Sequence, residues 1–283
     1  MTLNKRLLAV AALGLSLALP LAANAHRAWL LPSATVVSGA GAWVSVDAAV
    51  SNELFYADHN PMKLDGVLIY APDGSVGKPQ NALTAKYRST FDVPLSQPGT
   101  YKIASVTSSV MASWTQDGQV KRFRGSAADF AQQVPADAAD LKTIKGVSRN
   151  ETFVTRDAPT TTVFASTGKG LELVPVTHPN DLVAGEAATF RFLLDGKPAA
   201  DLEVAFAPGN SRYRATVGDF KVRTGADGSF KVTFPEAGMY WMNVVVRSGE
   251  IVRGPPGTDP SNTPLAGDGT SAAYTATLEA LLP

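Results

Sequence analysis

Apolar and polar residues alternate in short runs along most of this chain. Segments such as "GAWVSVDAAV" (41–50), "GTYKIASVTSSV" (99–110), "TFRFLL" (189–194) and "LEVAFAP" (202–208) repeat with a period of two, as do "GSFKVTF" (228–234), "MYWMNVVV" (239–246) and "YTATLEAL" (274–281). A period of two with many β-branched and aromatic residues predicts half-buried strands. The 24 glycines and 19 prolines punctuate the gaps, where turns are expected. "PDGS" (72–75) and "ADGS" (226–229) are Asp-Gly turns suited to linking strands. One short helix is predicted over "SAADFAQQV" (126–134), with Ser126 as its N-cap.

The strand pattern occurs twice. "FDVPLSQPGTYKI" and "FKVTFPEAGMYWM" share F-x-V-x5-G-x-Y, which aligns Phe91, Val93, Gly99 and Tyr101 with Phe230, Val232, Gly238 and Tyr240. Upstream, "VVSGAGAWVSV" mirrors "LVAGEAATFRF", with Gly39 opposite Gly185. The expected fold is all-β: two tandem immunoglobulin-like or transthyretin-like β-sandwiches, with the one short helix in the first. The boundary is expected in "STGKGLELVP" (166–175), loosened by Gly168 and Gly170. The halves are then an N-terminal sandwich (26–168) and a C-terminal sandwich (169–283).

The first 25 residues read differently. Lys5 and Arg6 precede an apolar run from Leu7 to Leu19, and Ala23-Asn24-Ala25 is a small-x-small cleavage site. This is the pattern of a secretory signal peptide, 1–25. No second long apolar stretch comes after it, so no transmembrane segment is expected after cleavage. The expected location is the periplasm.

Composition narrows the chemistry. Hydrophobic residues are 45% and charged residues 18%, enough apolar content for a sizeable core. Lys plus Arg equals Asp plus Glu at 25 each, with no basic stripe, so no nucleic-acid partner is expected. The chain has no cysteine, which excludes disulfides, thiolate metal sites and cysteine nucleophiles.

Cleavage after Ala25 would make His26 the first residue. A terminal histidine carries two nitrogen donors, its α-amine and its imidazole Nδ1, which can chelate a borderline metal. The first strand starts just after His26, and the second returns through Val44 and Val46. The end of that second strand should therefore lie beside the new N-terminus. The strand leads directly into "SNELFYADHNPMKLD" (51–65), so Asp58, His59 and Met62 are candidate ligands near His26. Asp58 can ligate through a hard oxygen or hold its loop through an Asx turn. Met62 can offer a soft thioether or fill a core gap. His178, in "VPVTHPND", is a further candidate if the sandwiches fold together, and otherwise a structural residue of the linker.

No G-x-S-x-G, P-loop or G-x-G-x-x-G pattern is present, so common hydrolase and nucleotide sites are not expected. Carboxylates such as Glu151 and Glu186 stand singly. "NSRYRATVGDFKVR" (210–223) interleaves Arg212, Tyr213 and Arg214, a pattern that can bind an anionic or planar ligand but reads first as a solvated face or an interdomain seam.

"AHRAWLLPS", "LFYADHNPMKLD", "LELVPVTHPNDLVAGE", "FLLDGKPAADLEV" and "TGADGSFKVTFPEAGMYW" together resemble the periplasmic domain-of-unknown-function family 4198. That family is often labelled nickel-uptake or cobalt-transport-associated. The resemblance implies that His26, Trp29 and Pro32 form its opening motif. Many relatives carry a further histidine near the end of the D-G-x-F strand pair, whereas "YWMNVVVRS" has none; His59 and His178 remain to complete a shell.

The resulting expectation is a non-enzymatic periplasmic protein that binds nickel, cobalt or copper for uptake or delivery. Its expected partner is a metal-uptake transporter or outer-membrane receptor. The alternatives are a metal-free tandem-sandwich module that binds a partner and, less favoured, a copper-dependent oxidative enzyme.

Overall fold

The computed structural model describes residues 26–248, 265 and 267–283; the expected signal peptide lies outside these residues. The first half contains β1 (Arg27–Pro32), β2 (Val36–Val37), β3 (Trp43–Ser51), β4 (Asn60–Pro61), β5 (Val67–Tyr70), β6 (Val76–Gly77), β7 (Gln80–Thr84), β8 (Ser89–Pro94), β9 (Gly99–Gln116), β10 (Gln119–Gly125), helix α1 (Ala127–Gln133) and β11 (Ala139–Arg156). The second half contains β12 (Leu171–Pro175), β13 (Ala187–Leu194), β14 (Lys197–Pro198), β15 (Glu203–Pro208), β16 (Phe220–Arg223), β17 (Ser229–Thr233), β18 (Gly238–Ser248) and β19 (Gly269–Ala280). A 3-10 turn at Thr162–Phe164 and two glycines at positive φ, Gly168 and Gly170, connect the halves.

The alternation seen in sequence becomes burial. In β3, Val44, Val46 and Ala48 are buried, and Asp47 points outward to pair with Arg88. In β8, Phe91 and Val93 are buried, and Asp92 accepts a hydrogen bond from the Ser45 hydroxyl. Each large side chain buried this way contributes about 1.5–3 kcal/mol. The predicted helix forms, and the Ser126 hydroxyl accepts from the Asp129 N–H at 3.1 Å.

The repeat is also structural. β8 leads into β9 as β17 leads into β18, and each pair changes sheet at a glycine, Gly99 (φ 127°) or Gly238 (φ 143°). Two residues later comes a buried tyrosine. The Tyr101 hydroxyl accepts from the Gln97 N–H at 2.9 Å and donates to the Gln97 carbonyl at 3.1 Å. The Tyr240 hydroxyl makes the same two bonds with Glu236, at 3.3 and 2.8 Å. Such a tyrosine corner pins the crossover of a β-sandwich.

The fold is all-β, with two tandem sandwiches. Sheet β1-β3-β8-β7 packs over one part of a ten-stranded sheet, and the sheet built on β12, β13 and β17 packs over another. The order along the large sheet is β16-β15-β18-β19-β11-β9-β5-β6, so the two halves meet at equivalent strands. β11 and β19 pair in parallel, from Ile144↔Gly269 to Thr152↔Thr277. The sequence predicts two sandwiches but not this fusion, because parallel pairing of distant strands leaves no local signature.

The two outer sheets cover opposite faces of the shared one. Phe153 lies in the core of the second half and its neighbour Val154 in the core of the first, and successive side chains of a strand point to opposite faces. β1 behaves likewise. Leu30 enters the first core, whereas Trp29 and Leu31 face a smaller cluster with Ala207 and Trp241 of the second half. That seam positions the candidate site.

Candidate metal centre

β1 and β4 flank the end of β3 on its two edges, with Arg27 opposite Ser51 and Asn60 opposite Val50. His26 precedes β1 and His59 precedes β4, so both stand where β3 finishes. Their rings stack with centroids 3.8 Å apart and planes 9° from parallel. In that stack the lone pairs lie in two nearly parallel planes, so gripping one ion requires the rings to turn about their side-chain torsions. His26 is exposed and His59 half-buried, which leaves room for the turn.

The loop between β3 and β4 is braced from within. The Asp58 carboxylate accepts from the Asn52 N–H at 2.8 Å and the Glu53 N–H at 3.1 Å. Both of its oxygens hold the loop closed, as an Asx-type brace does. The Ser51 hydroxyl accepts from the Trp29 indole N–H at 2.7 Å and donates to the Glu53 carbonyl at 2.6 Å. Leu54 is buried, and Phe55 meets Trp29 edge-on at 5.7 Å.

The second half touches both sides of the site. The Trp241 indole N–H donates to the Ala28 carbonyl at 3.0 Å. Arg27 lies over the Trp241 ring at 5.3 Å and pairs with Asp219 at 3.1 Å. Arg212 pairs with Glu53 at 2.5 Å and stacks 4.1 Å above Tyr56. The Arg–Tyr stretch is thus part of a seam between the halves.

The remaining candidates sit elsewhere. Met62 packs against the first core, and its sulfur takes the Asn150 side-chain N–H at 3.8 Å. His178 lies at the other end of β1, near Thr155, which pairs with Val36. The Asn180 N–H donates to His178 Nδ1 at 3.1 Å, which places the ring proton on Nε2, 2.9 Å from the Thr100 hydroxyl. Thr100 in turn contacts Thr155 at 3.0 Å, and Thr155 donates to Asn180 Oδ1 at 2.8 Å. Burial lowers the His178 pKa, with the Asp181 charge opposing. With both nitrogens engaged, His178 ties the linker to β9 and β11. Among the described residues no three His, Cys, Asp or Glu side chains are grouped to hold a metal. The structure thus brings two imidazoles together, those of His26 and His59.

A charged cluster at the junction of the halves was not foreseeable from any one motif. Buried Arg149 pairs with Glu151 at 3.2 Å and Glu172 at 3.5 Å. The Tyr274 hydroxyl donates to Glu151 at 2.7 Å. Burial raises the Glu172 pKa, but hydrogen bonds from Ser166, Thr167 and Gly168 outweigh it and hold the carboxyl below its usual value. Burial lowers the Lys102 pKa, and Glu151 opposes that shift. Lys102, Arg149, Glu151 and Glu172 line a void of about 10 Å³, enough for one water centre. The available signal was inward parity: Arg149 and Glu151 share the face of β11 that carries Phe153.

Comparison with solved structures gives distant likenesses. The D0–D1 domain of intimin is 12% identical, with 89% of this chain and 97% of that one covered and a TM-score of 0.22. Dimeric latent PorU from Porphyromonas gingivalis is 14% identical, with 90% of this chain and 20% of that one covered and a TM-score of 0.19. Escherichia coli alpha-2-macroglobulin activated by porcine elastase is 11% identical, with 90% and 30% covered and a TM-score of 0.20. No curated protein matches the chain. The model of a domain of unknown function, DUF4198, matches residues 23–248. The chain belongs to the DUF4198 family.

Proposed function

We propose that this protein is exported, cut after Ala25, and captures a borderline divalent transition metal in the periplasm. The ion would be nickel, cobalt or copper, carried as cargo for uptake or delivery. The donors are the His26 α-amine, the His26 imidazole and the His59 imidazole, a nitrogen set that suits such ions. The supporting observation is the contact of the two rings, 3.8 Å apart, brought together from sequence positions separated by an entire hairpin. The protein hands the ion to a metal-uptake transporter or outer-membrane receptor.

The test compares protein beginning at His26 with protein bearing one extra N-terminal glycine, each titrated with nickel and copper by calorimetry. Conversion of the His26 amine to an amide should weaken nickel binding at least about tenfold, roughly 1.4 kcal/mol. Equal, weak binding by both forms rejects the proposal. It would favour a second reading, a metal-free partner-binding module, which has its own support in β7. All five residues of that edge strand are exposed, Leu83 to 65%, and an open edge can recruit another strand.

A further inference from the structure

We infer that the second sandwich completes the histidine site without contributing a ligand. Its Trp241 and Arg212 are positioning residues that hold His26 and His59 against each other. The inference rests on the metal-binding reading above and adds to it the residues that set the geometry.

The two histidines reach the site by different routes. His26 lies at the start of β1, with only Arg27 and Ala28 between it and the buried Trp29. Both intervening residues are held from the second half: the Ala28 carbonyl by Trp241 at 3.0 Å, and Arg27 by Asp219 at 3.1 Å and by the face of Trp241. His59 closes a loop whose outer side is held from the same half, through Glu53 to Arg212 at 2.5 Å and Tyr56 beneath Arg212 at 4.1 Å. Gly209 lies under the same loop. A Cβ there would come within 3.0 Å of the Phe55 ring, so the second half also fits the loop by shape. Asp58 carries the restraint onward, because its carboxylate ties the Glu53 N–H to the residue beside His59.

Without these contacts the residues ahead of the buried Trp29 would be held mainly by β3 pairing, and chain ends fray. The loop would keep its inner brace but lose its outer anchor. With both backbones anchored side by side, the rings need only turn about their side-chain torsions to meet one ion, without the cost of first ordering the chain that carries them.

The test uses the full processed chain. Nickel affinity is measured by competition with a chromophoric chelator for the parent, His59→Ala, Arg212→Gln, Trp241→Phe and the charge swap Glu53→Arg/Arg212→Glu. In the metal-free proteins, NMR follows the ring-current shifts that His26 and His59 impose on each other. Arg212→Gln and Trp241→Phe should each weaken nickel binding about threefold to tenfold and reduce the mutual shifts. The swap should restore both. If His59→Ala weakens binding while Arg212→Gln and Trp241→Phe leave affinity and ring currents unchanged, the positioning role is overturned and the metal site stands. If His59→Ala itself binds like the parent, the metal reading fails. The ring currents then judge the clamp separately, and unchanged stacking in both variants overturns it.

Discussion

Phe153 and Val154 are neighbours on β11, yet Phe153 is packed into the core of the second half and Val154 into that of the first. One strand is thus the common wall of two sandwiches. Its outer edge is closed by β19, from the far end of the chain. The first half alone would expose both the Phe153 face and that edge. Residues 26–168 expressed by themselves should therefore aggregate or lack a cooperative unfolding transition. The whole chain should unfold in one calorimetric step. In the whole chain, Phe153→Ala should cost about 3–5 kcal/mol, read by denaturant unfolding.

The two crossover glycines make a matched experiment. Both have positive φ, so alanine is strained at either place. At Gly238 the new Cβ meets nothing within 4 Å, whereas at Gly99 it would come 2.5 Å from Pro72 Cβ. Gly238→Ala should cost about 1–3 kcal/mol from backbone strain. Gly99→Ala should cost clearly more. Chemical denaturation of the two variants checks the order, and equal losses would refute the role given to Pro72.

His178 predicts an acid-side loss of stability. Its pKa is lowered in the folded protein, mainly by burial, so the unfolded chain binds the proton more readily. Stability rises with pH where the unfolded state holds more protons. The contribution is therefore complete above the unfolded value, near pH 6.5, and shrinks as the pH falls below it. Thermal midpoints measured from pH 8 to pH 5 should fall, and His178→Gln should flatten part of that fall at the cost of lower stability at pH 8.

Arg149 sits between two buried carboxylates. Removing one partner from a buried ionic cluster costs about 3–5 kcal/mol, because the charges left behind are unpaired. Arg149→Met should show a loss of that order in urea. Adding Glu151→Gln and Glu172→Gln to it should recover part of the loss.

Nickel binding should weaken on acidification. The α-amine and imidazoles bind metal only when unprotonated, so protons compete with the ion. Affinities determined at pH 8, 7 and 6 should fall steadily in the form that begins at His26.

Much of the fold was readable as pattern. Phe91, Val93, Gly99 and Tyr101 and their counterparts in the second copy announced a duplicated strand motif, and the structure adds that each copy changes sheet and ends in a tyrosine corner. Ser126 announced the helix N-terminus. Strand ends were less legible. β9 runs past residue 110 to Gln116, because its outer part is held by pairing with β10 and β11 rather than by its own alternation. For the candidate site, the hairpin return from His26 to His59 could be read from chain direction. The inward sulfur of Met62 and the occupied nitrogens of His178 depended on partners far away in sequence, Asn150 and Thr100.

The sequence by itself determined what is local: period-two burial, turn chemistry, the duplicated motif, the absence of thiols and the few imidazoles on offer. Tertiary structure alone decided that β11 and β19 share an edge, that Arg149, Glu151, Glu172 and Tyr274 meet in one buried cluster, and that Trp241 reaches Ala28. The physical reason is range. Alternation and turn preference act between residues a few positions apart and leave their mark on short stretches. Long-range pairing depends on which surfaces remain uncovered once the strands have formed, and no short stretch of chain encodes that.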